Sequence, residues 1–499
     1  MGPSTRQVLD LLSAYESPNV TFIESDGSWP IVWERARGVH IWDVEGKRYL
    51  DLTAAFGVAA SGHANPRVVK AGQKQMARLL HAMGDVHPHP LKGELARELS
   101  RITFERWAEV GIAAGARPSS GAARSASSSS RQHSGLPARS WLAAPGDGRT
   151  PKPGRRPAAI GGTPPDVLSP TASTGKTIFC NSGFEAVEAA LKTAMLATGR
   201  PGVIAFEGAY HGVGYGALNT THRDHFRAPF LSQLRDFGRF VQFPTTGSAL
   251  EIVDTKIRKY FGKEKIGAVL VEPIQVRGGV QIPPPEFLPM LRRACDEQKA
   301  LLVLDEIYTG FGRTGEWFAC EHSATVPDVV CVGKALTGGF PLSACIGRGD
   351  LMDAAWPRSS GEAIHTSTFL GHPVGCAMAL AQITELRSKK LIQRSSELGR
   401  VLLSALRALP VTRHSKGGPT LRLEARGLGL LAGVEVCFAD GKPATTVALN
   451  ITKQLLHRGF IVLPEGEHSN VLGFTPPLMI SREQINSAVD ALAQIWAAV

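Results

Sequence analysis

From Lys176 onward the chain alternates between two hydrophobic rhythms. Short apolar runs end in polar or glycine-rich turns: KTIFCNSG, GVIAFEGAYHG, GAVLVEPIQ, ALLVLDEIYTG, DVVCVGKALTGG and SACIGR. Apolar runs of that length bounded by turn residues predict strands buried on both faces. Between them lie segments of helical period, such as EAVEAALKTAM, where Val187, Ala190, Leu191, Ala194 and Met195 share one face. LKGELARELSRI has the same spacing upstream. This order predicts an α/β domain around a mostly parallel sheet. From about Val374 the pattern turns to helices and then mixed elements, which predicts a smaller α+β C-terminal domain. Residues 1–70 are expected to pack with that small domain, and 71–373 to form the large one.

One stretch breaks the pattern. Residues 111–174 hold 29 Gly, Pro or Ser among 64 and no sustained apolar period. Such a segment buries too little surface to offset its conformational entropy, so a disordered surface insertion is expected. It also carries eight Lys/Arg against two Asp, about half of the formal net charge of +11. The basic balance therefore says little about the folded body, and no nucleic-acid partner is expected from it. At 43% hydrophobic and 20% charged, the chain as a whole is ordinary for a globular protein. No window approaches ~18 consecutive apolar residues, so no membrane span is expected. The N-terminus lacks a secretory pattern, and the seven cysteines include no C-x-x-C pair. A cytoplasmic protein with reduced thiols is the expectation.

Residues capable of chemistry fall at or just past the predicted strand ends, where open α/β sheets bind ligands. GFGRTG, residues 310–315, matches a dinucleotide glycine pattern, but DEIYT separates it from the strand and no amphipathic helix follows. It is read as a loop. Asp305 closes a fully apolar strand and needs a cationic partner. Lys334 follows another strand by one glycine, where loss of solvent would make its amine a usable nucleophile. Ser182-Gly183-Phe184-Glu185 opens a helix whose free N–H groups suit a phosphate, or Ser182 simply caps it. Tyr210, beside His211, offers a ring for stacking. A phosphate cradle, a stacking ring, a carboxylate for a ring nitrogen and a lysine for an aldehyde are the parts of a pyridoxal 5′-phosphate site. His87 and His89 share one face of an extended segment, but two ligands are too few for a metal, and none is expected.

With these residues in place the chain resembles the class III (subgroup II) aminotransferases of the fold type I pyridoxal-phosphate enzymes. The resemblance rests on NSGFEAVEAALK, AYHG, VEPIQ, LDEIYTGFGRTG, PDVVCVGKALTGGFPLSA, TSTFLGHPVGCA and ARGLGLLAGVE, and spans the chain outside the insertion. It implies that Lys334 bonds the cofactor and carries the proton, and that Asp305 keeps the ring nitrogen protonated. Ile307 would pack on the ring and Tyr210 stack over it. Ser182, Gly183 and Phe184 would hold the phosphate, with His211, Glu272 and Tyr308 completing the cofactor set. Thr368 would reach the phosphate of a neighbouring subunit, which implies a homodimer. Arg426 would grip a substrate carboxylate, with Arg277 and Phe56 also facing substrate. The implied reaction moves an amino group from a small-molecule donor to an oxo acid by ping-pong chemistry. An aminomutase or racemase of the same fold is the alternative.

Three positions depart from the family pattern. Where many members read E-P-I-Q-x-E, this chain has Arg277, so no glutamate stands there to neutralise Arg426. The pocket is then expected to favour anionic groups, and the gated ornithine and 4-aminobutyrate enzymes become weaker analogies. Tyr308 replaces a frequent Gln, and Phe184 replaces a small residue at the helix start.

Overall fold

The computed structural model describes residues 2–24, 27–111, 174–414 and 419–499, which all belong to one compact unit. The expected insertion at 111–174 lies outside these residues except for its two ends. Sixteen strands occur among them. Near the N-terminus β1 (Trp33–Arg37), β2 (His40–Asp43) and β3 (Arg48–Asp51) form an antiparallel meander.

The central sheet contains β4 (Gly175–Cys180), β5 (Gly202–Phe206), β6 (Gly238–Val241), β7 (Ile266–Val271), β8 (Leu301–Asp305), β9 (Val329–Val332) and β10 (Ser343–Arg348). Their order is β4-β10-β9-β8-β7-β5-β6. Only β10 runs against its neighbours, and the β9-β8-β7-β5-β6 pairs are all parallel. Every residue of β7, β8 and β9 is buried, as continuous apolar runs covered on both faces require. Each of the six quoted apolar runs forms a strand. β6 has no such run, because Arg239 interrupts it and pairs with Glu264 at the sheet edge.

The helix Gly183–Thr198 buries Val187, Ala190 and Ala194 against the sheet, whereas Met195 is 47% exposed. The face predicted for it is therefore narrower than its apolar residues suggested. Beyond the sheet come β11 (Thr412–His414), β12 (Thr420–Leu428), β13 (Leu431–Phe438), β14 (Phe460–Ile461), β15 (Leu463–Glu465) and β16 (Val471–Phe474). Five of these form an antiparallel sheet, while β14 pairs in parallel with β3. None of the seven cysteines is in a disulfide, and six of them are buried. Among the described residues no helix is long and apolar enough to cross a membrane.

GFGRTG is a turn with Phe311, Gly312 and Gly315 at positive φ, and it is not followed by a helix N-terminus. Its Arg313 is fully buried and donates to the carbonyls of Leu430, at 3.0 Å, and Pro476, at 2.5 Å. Ser395 Oγ donates to the Arg313 carbonyl at 3.1 Å. The turn thus ties the end of β8 to the segments entering β13 and leaving β16. Removing a charged donor from buried acceptors leaves their desolvation uncompensated. Arg313→Leu is expected to lower the unfolding free energy by about 3 kcal/mol, read from chemical denaturation. A loss within the error of the measurement would remove this brace from the account.

Candidate active site

The C-terminal ends of β5, β7, β8 and β9 open on one cavity of about 230 Å³. Its lining includes Gly183, Phe184, Tyr210, His211, Glu272, Arg277, Asp305, Ile307, Tyr308 and Lys334. Parallel strands bring these residues together because each loop leaving a strand end emerges on the same edge of the sheet.

Asp305 finds its partner in His211, not in an arginine. Its Oδ2 lies 2.8 Å from His211 Nδ1, and Oδ1 accepts the Ile307 N–H at 3.1 Å. His211 is itself held by its backbone N–H, which donates to Thr221 Oγ1 at 2.9 Å. Glu272 accepts the Tyr210 N–H at 2.9 Å, and burial pushes its carboxyl up to about 7 against the attraction of His211.

Lys334 sits just past β9 at φ +35°, a conformation that costs a non-glycine residue energy and persists only where its surroundings enforce it. Its Nζ stands 4.6 Å from the centre of the Tyr308 ring. Burial lowers its pKa, while Asp305 and Glu272 pull the other way. Tyr308 contributes its ring to the cavity wall. Its hydroxyl is 3.4 Å from Thr475 Oγ1.

At the head of the helix Gly183–Thr198, Ser182 makes no side-chain cap, and its Oγ is buried without a partner. Plain N-capping is thereby set aside. Glu185 instead receives the Asn181 backbone N–H at 2.8 Å. The bulk of Phe184 is accommodated by missing side chains opposite it: a Cβ on Gly212 would lie 2.3 Å from Phe184 Cβ, and one on Gly214 2.4 Å from its ring. A Cβ on Gly183 would lie 3.0 Å from Ile307 Cδ1. Tyr210 meets Phe226 edge-on at 5.2 Å, and the Arg277 guanidinium lies 5.9 Å from its ring centre.

Four expected residues stand outside this lining, Ser182 at the helix head and the three that follow. Phe56 is 50% exposed, in a run of positive φ from Ala54 to Gly57. Thr368 is exposed. Arg426 is engaged elsewhere: Nη1 donates to Glu435 at 2.6 Å, while Nε and Nη2 donate to the carbonyls of Gly279 and Val280. The sequence reading left Arg426 without a carboxylate, and Glu435, nine residues on, supplies one. It also missed Glu465, 2% exposed at the end of β15, whose Oε2 is 3.1 Å from Arg277 Nη1. The signal was an acidic residue closing an apolar strand, the same that drew attention to Asp305. Of the two histidines considered for a metal, His89 hydrogen-bonds the Gly371 carbonyl at 2.7 Å through Nε2.

The class-III aminotransferase family model matches residues 22–143 and 166–496. The chain belongs to this family. It is 32% identical to the acetylornithine aminotransferase of Methanosarcina mazei over 95% of this chain and 93% of that one. It is 31% identical to a 5-aminovalerate aminotransferase of Pseudomonas aeruginosa over 94% and 93% of the two chains. A putrescine aminotransferase of Pectobacterium atrosepticum shares 32% identity over 99% and 90%. A solved transaminase from the marine bacterium Virgibacillus has the same fold, with a TM-score of 0.76, 23% identity and 99% of each chain covered. The aminotransferase is thus a pyridoxal-phosphate-dependent enzyme of fold type I. The mutase or racemase alternative gains no support, since each of these relatives is named for amino transfer.

Next to Asp305, Glu306 turns into the core and accepts from Thr309 Oγ1 and from the N–H groups of Ala319 and Cys320. Burial pushes its carboxyl up to about 7. Because the folded value stands above the ordinary one, this group's stabilisation is full below about pH 4.5 and is lost as pH rises through about 7. Compared with Glu306→Gln, the wild-type aminotransferase is therefore expected to lose up to about 3 kcal/mol more stability between pH 4.5 and 7.5. Parallel denaturation curves at several pH values check the sign; equal slopes would contradict it.

Proposed function

We propose that this aminotransferase takes donors bearing a primary amine on a terminal carbon and passes the amino group to an oxo acid, with Lys334 and Asp305 as its catalytic pair. The observation that carries the reading is the convergence of both residues, from adjacent strands β8 and β9, on one cavity at the head of a helix. The donor class follows the relatives, which are named for acetylornithine, putrescine and 5-aminovalerate.

The residues fit pyridoxal phosphate on several independent counts. Ser182 Oγ and His211 Nε2 are buried polar atoms with no protein partner. The first turn of the helix has free N–H groups suited to a phosphate, with Gly183 and Phe184 at its head. Tyr210 and Ile307 supply walls for a flat ring. When bound, this cofactor supplies an aldehyde and a protonated ring that draws electrons away from the carbon being deprotonated. Asp305, fixed at both oxygens, would present its carboxylate to the ring nitrogen. His211 holds that carboxylate from behind, and Glu272 orients the backbone of Tyr210. Lys334, its amine made easier to deprotonate by burial, acts as nucleophile and then carries the proton at the reacting carbon.

A homodimer, with Thr368 reaching the neighbouring subunit's phosphate, belongs to this reading. Its support is the exposed apolar surface around Thr368, where Met83, Val86, Ile364 and Phe369 are each more than half exposed. The segments bearing them touch through His81–Phe369 and Thr366–Asp85 contacts. The division into residues 1–70, 71–373 and 374–499 is supported by the β3–β14 pairing, which joins the first part to the last. Cytoplasmic residence fits six buried cysteines with no disulfide among them.

Lys334→Ala is expected to fold, to lose at least ~10³-fold in turnover, and to show none of the cofactor's lysine-dependent visible absorption. Turnover at the wild-type rate would remove Lys334 from its role. Among donors, 5-aminovalerate should change the wild-type spectrum in the absence of acceptor. A response confined to α-amino acids would overturn the terminal-amine assignment.

A further inference from the structure

We propose that Arg277, with Glu465 as its resident counter-ion, receives the distal carboxylate of an oxo-dicarboxylate acceptor, and that Arg426 positions the turn that presents it. The inference deepens the function proposed above and rests on it.

The two arginines differ in what they have left to offer. Arg426 hydrogen-bonds the Gly279 carbonyl at 2.6 and 3.2 Å, the Val280 carbonyl at 3.0 Å and Glu435 at 2.6 Å. Glu435 is itself held by Asn470 Nδ2 at 3.2 Å. These contacts close the guanidinium of Arg426 around the carbonyls of a turn and leave it outside the cavity lining. That turn begins at Val276, whose carbonyl accepts the N–H groups of Gly279 and Val280 at 3.0 Å each. Arg277 lies within it and does line the cavity, together with Tyr210, Asp305 and Lys334. Arg426 thus supports from outside the backbone that carries Arg277.

Arg277 and Glu465 form a pair with one open side. The arginine side chain is 27% exposed and the glutamate 2%, so the carboxylate stands behind the guanidinium and the cation faces the opening. The geometry is reinforced through the backbone, where the Gly466 N–H donates to the Arg277 carbonyl at 3.1 Å. Among the described residues Glu465 is the only side chain that hydrogen-bonds Arg277. A guanidinium has donors on two edges and can accept a second carboxylate without leaving the first. A second cation adjoins the pair: Arg223 Nε is buried without a partner, and its charge acts on both Arg277 and Glu465. With Glu465 and Glu467 both acting on Arg223, the cation left with an open edge is Arg277. An incoming carboxylate would balance it, whereas a cationic tail would not.

The test uses the holoenzyme and glutarate, a dicarboxylate with no oxo group to react. Titration calorimetry should show binding to the wild type. For Arg277→Gln the Kd should rise about tenfold or more. Steady-state KM for 2-oxoglutarate should rise alongside it, with kcat changed far less. Glu465→Gln should tighten glutarate binding severalfold, a gain that damage to the fold would not produce. Arg426→Gln should weaken binding less than Arg277→Gln does. The proposal is overturned if Arg277→Gln binds glutarate like the wild type, if Glu465→Gln binds it more weakly, if Arg426→Gln has the larger effect, or if the wild type does not bind it. The wild-type spectral response to n-butylamine, which has no carboxylate, reports separately on the underlying aminotransferase reading.

Discussion

A carboxylate at the end of a fully buried strand must be satisfied where it stands, and the site is arranged around that requirement. The four residues before Asp305 in β8 are apolar and fully buried, so water is a poor partner for it. His211 and the Ile307 N–H take its two oxygens. The histidine comes from the loop after β5 and the N–H from the loop after β8, so one carboxylate fixes two loops against each other. Tyr210 follows His211 into place, and its own N–H is taken by Glu272 from the end of β7. Glu306 solves the same problem in the opposite direction by gathering the N–H groups of the 319–320 turn beneath the sheet. Adjacent acids thus divide the work: one faces the reacting cavity, and the other anchors the floor.

The glycine-rich turn that follows has a mechanical part in this arrangement. Gly312 and Gly315 take positive φ and let the chain reverse tightly enough for Arg313 to lie across to Leu430 and Pro476. Its neighbour Tyr308 packs its ring beneath Lys334 and turns its hydroxyl to Thr475, close after β16. The loop between Asp305 and Gly315 is therefore fixed at both ends by elements far away in sequence. Lys334 Nζ meets the aromatic face that this fixed loop presents. Rigid elements hold reactive groups more precisely than free loops can, and here the loop has been made rigid by its contacts.

Much of this was legible from hydrophobic rhythm. Buried strands are read from continuous apolar runs, and all six quoted runs form strands. β6 escaped because an edge strand needs only a few inward residues, and Arg239 satisfies its charge at the border with Glu264. Asp305, Lys334 and Tyr210 were legible because a polar residue at the end of an apolar run demands an explanation. The partners of charges were not. His211 for Asp305, Glu435 for Arg426 and Glu465 for Arg277 lie 94, 9 and 188 residues away in the chain. Pattern reports which residues are buried, but not which of them meet. Exposure also misled: Met195 belongs to the apolar face by spacing, yet the helix needs only its small residues to pack on the sheet.

The charge at position 277 shows how far one substitution propagates. An arginine there acts on Lys334 and on Arg223, both cations in confined surroundings. Unscreened, three positive groups would oppose one another around one cavity. Glu465 relieves this, and burial pushes its own carboxyl up to about 7 while Arg277, Arg223 and Lys334 pull it down. The pair is thus held by mutual need: the arginine keeps the acid from being pushed higher still, and the arginine is tolerated because the acid is there. Glu435 does for Arg426 what a glutamate at position 277 would otherwise do. The two arginines have in effect exchanged circumstances, one closed into the backbone of a turn and the other left with an open edge beside the reactive lysine. An anion entering the cavity would therefore meet Arg277 first, because that is where positive charge remains incompletely paired.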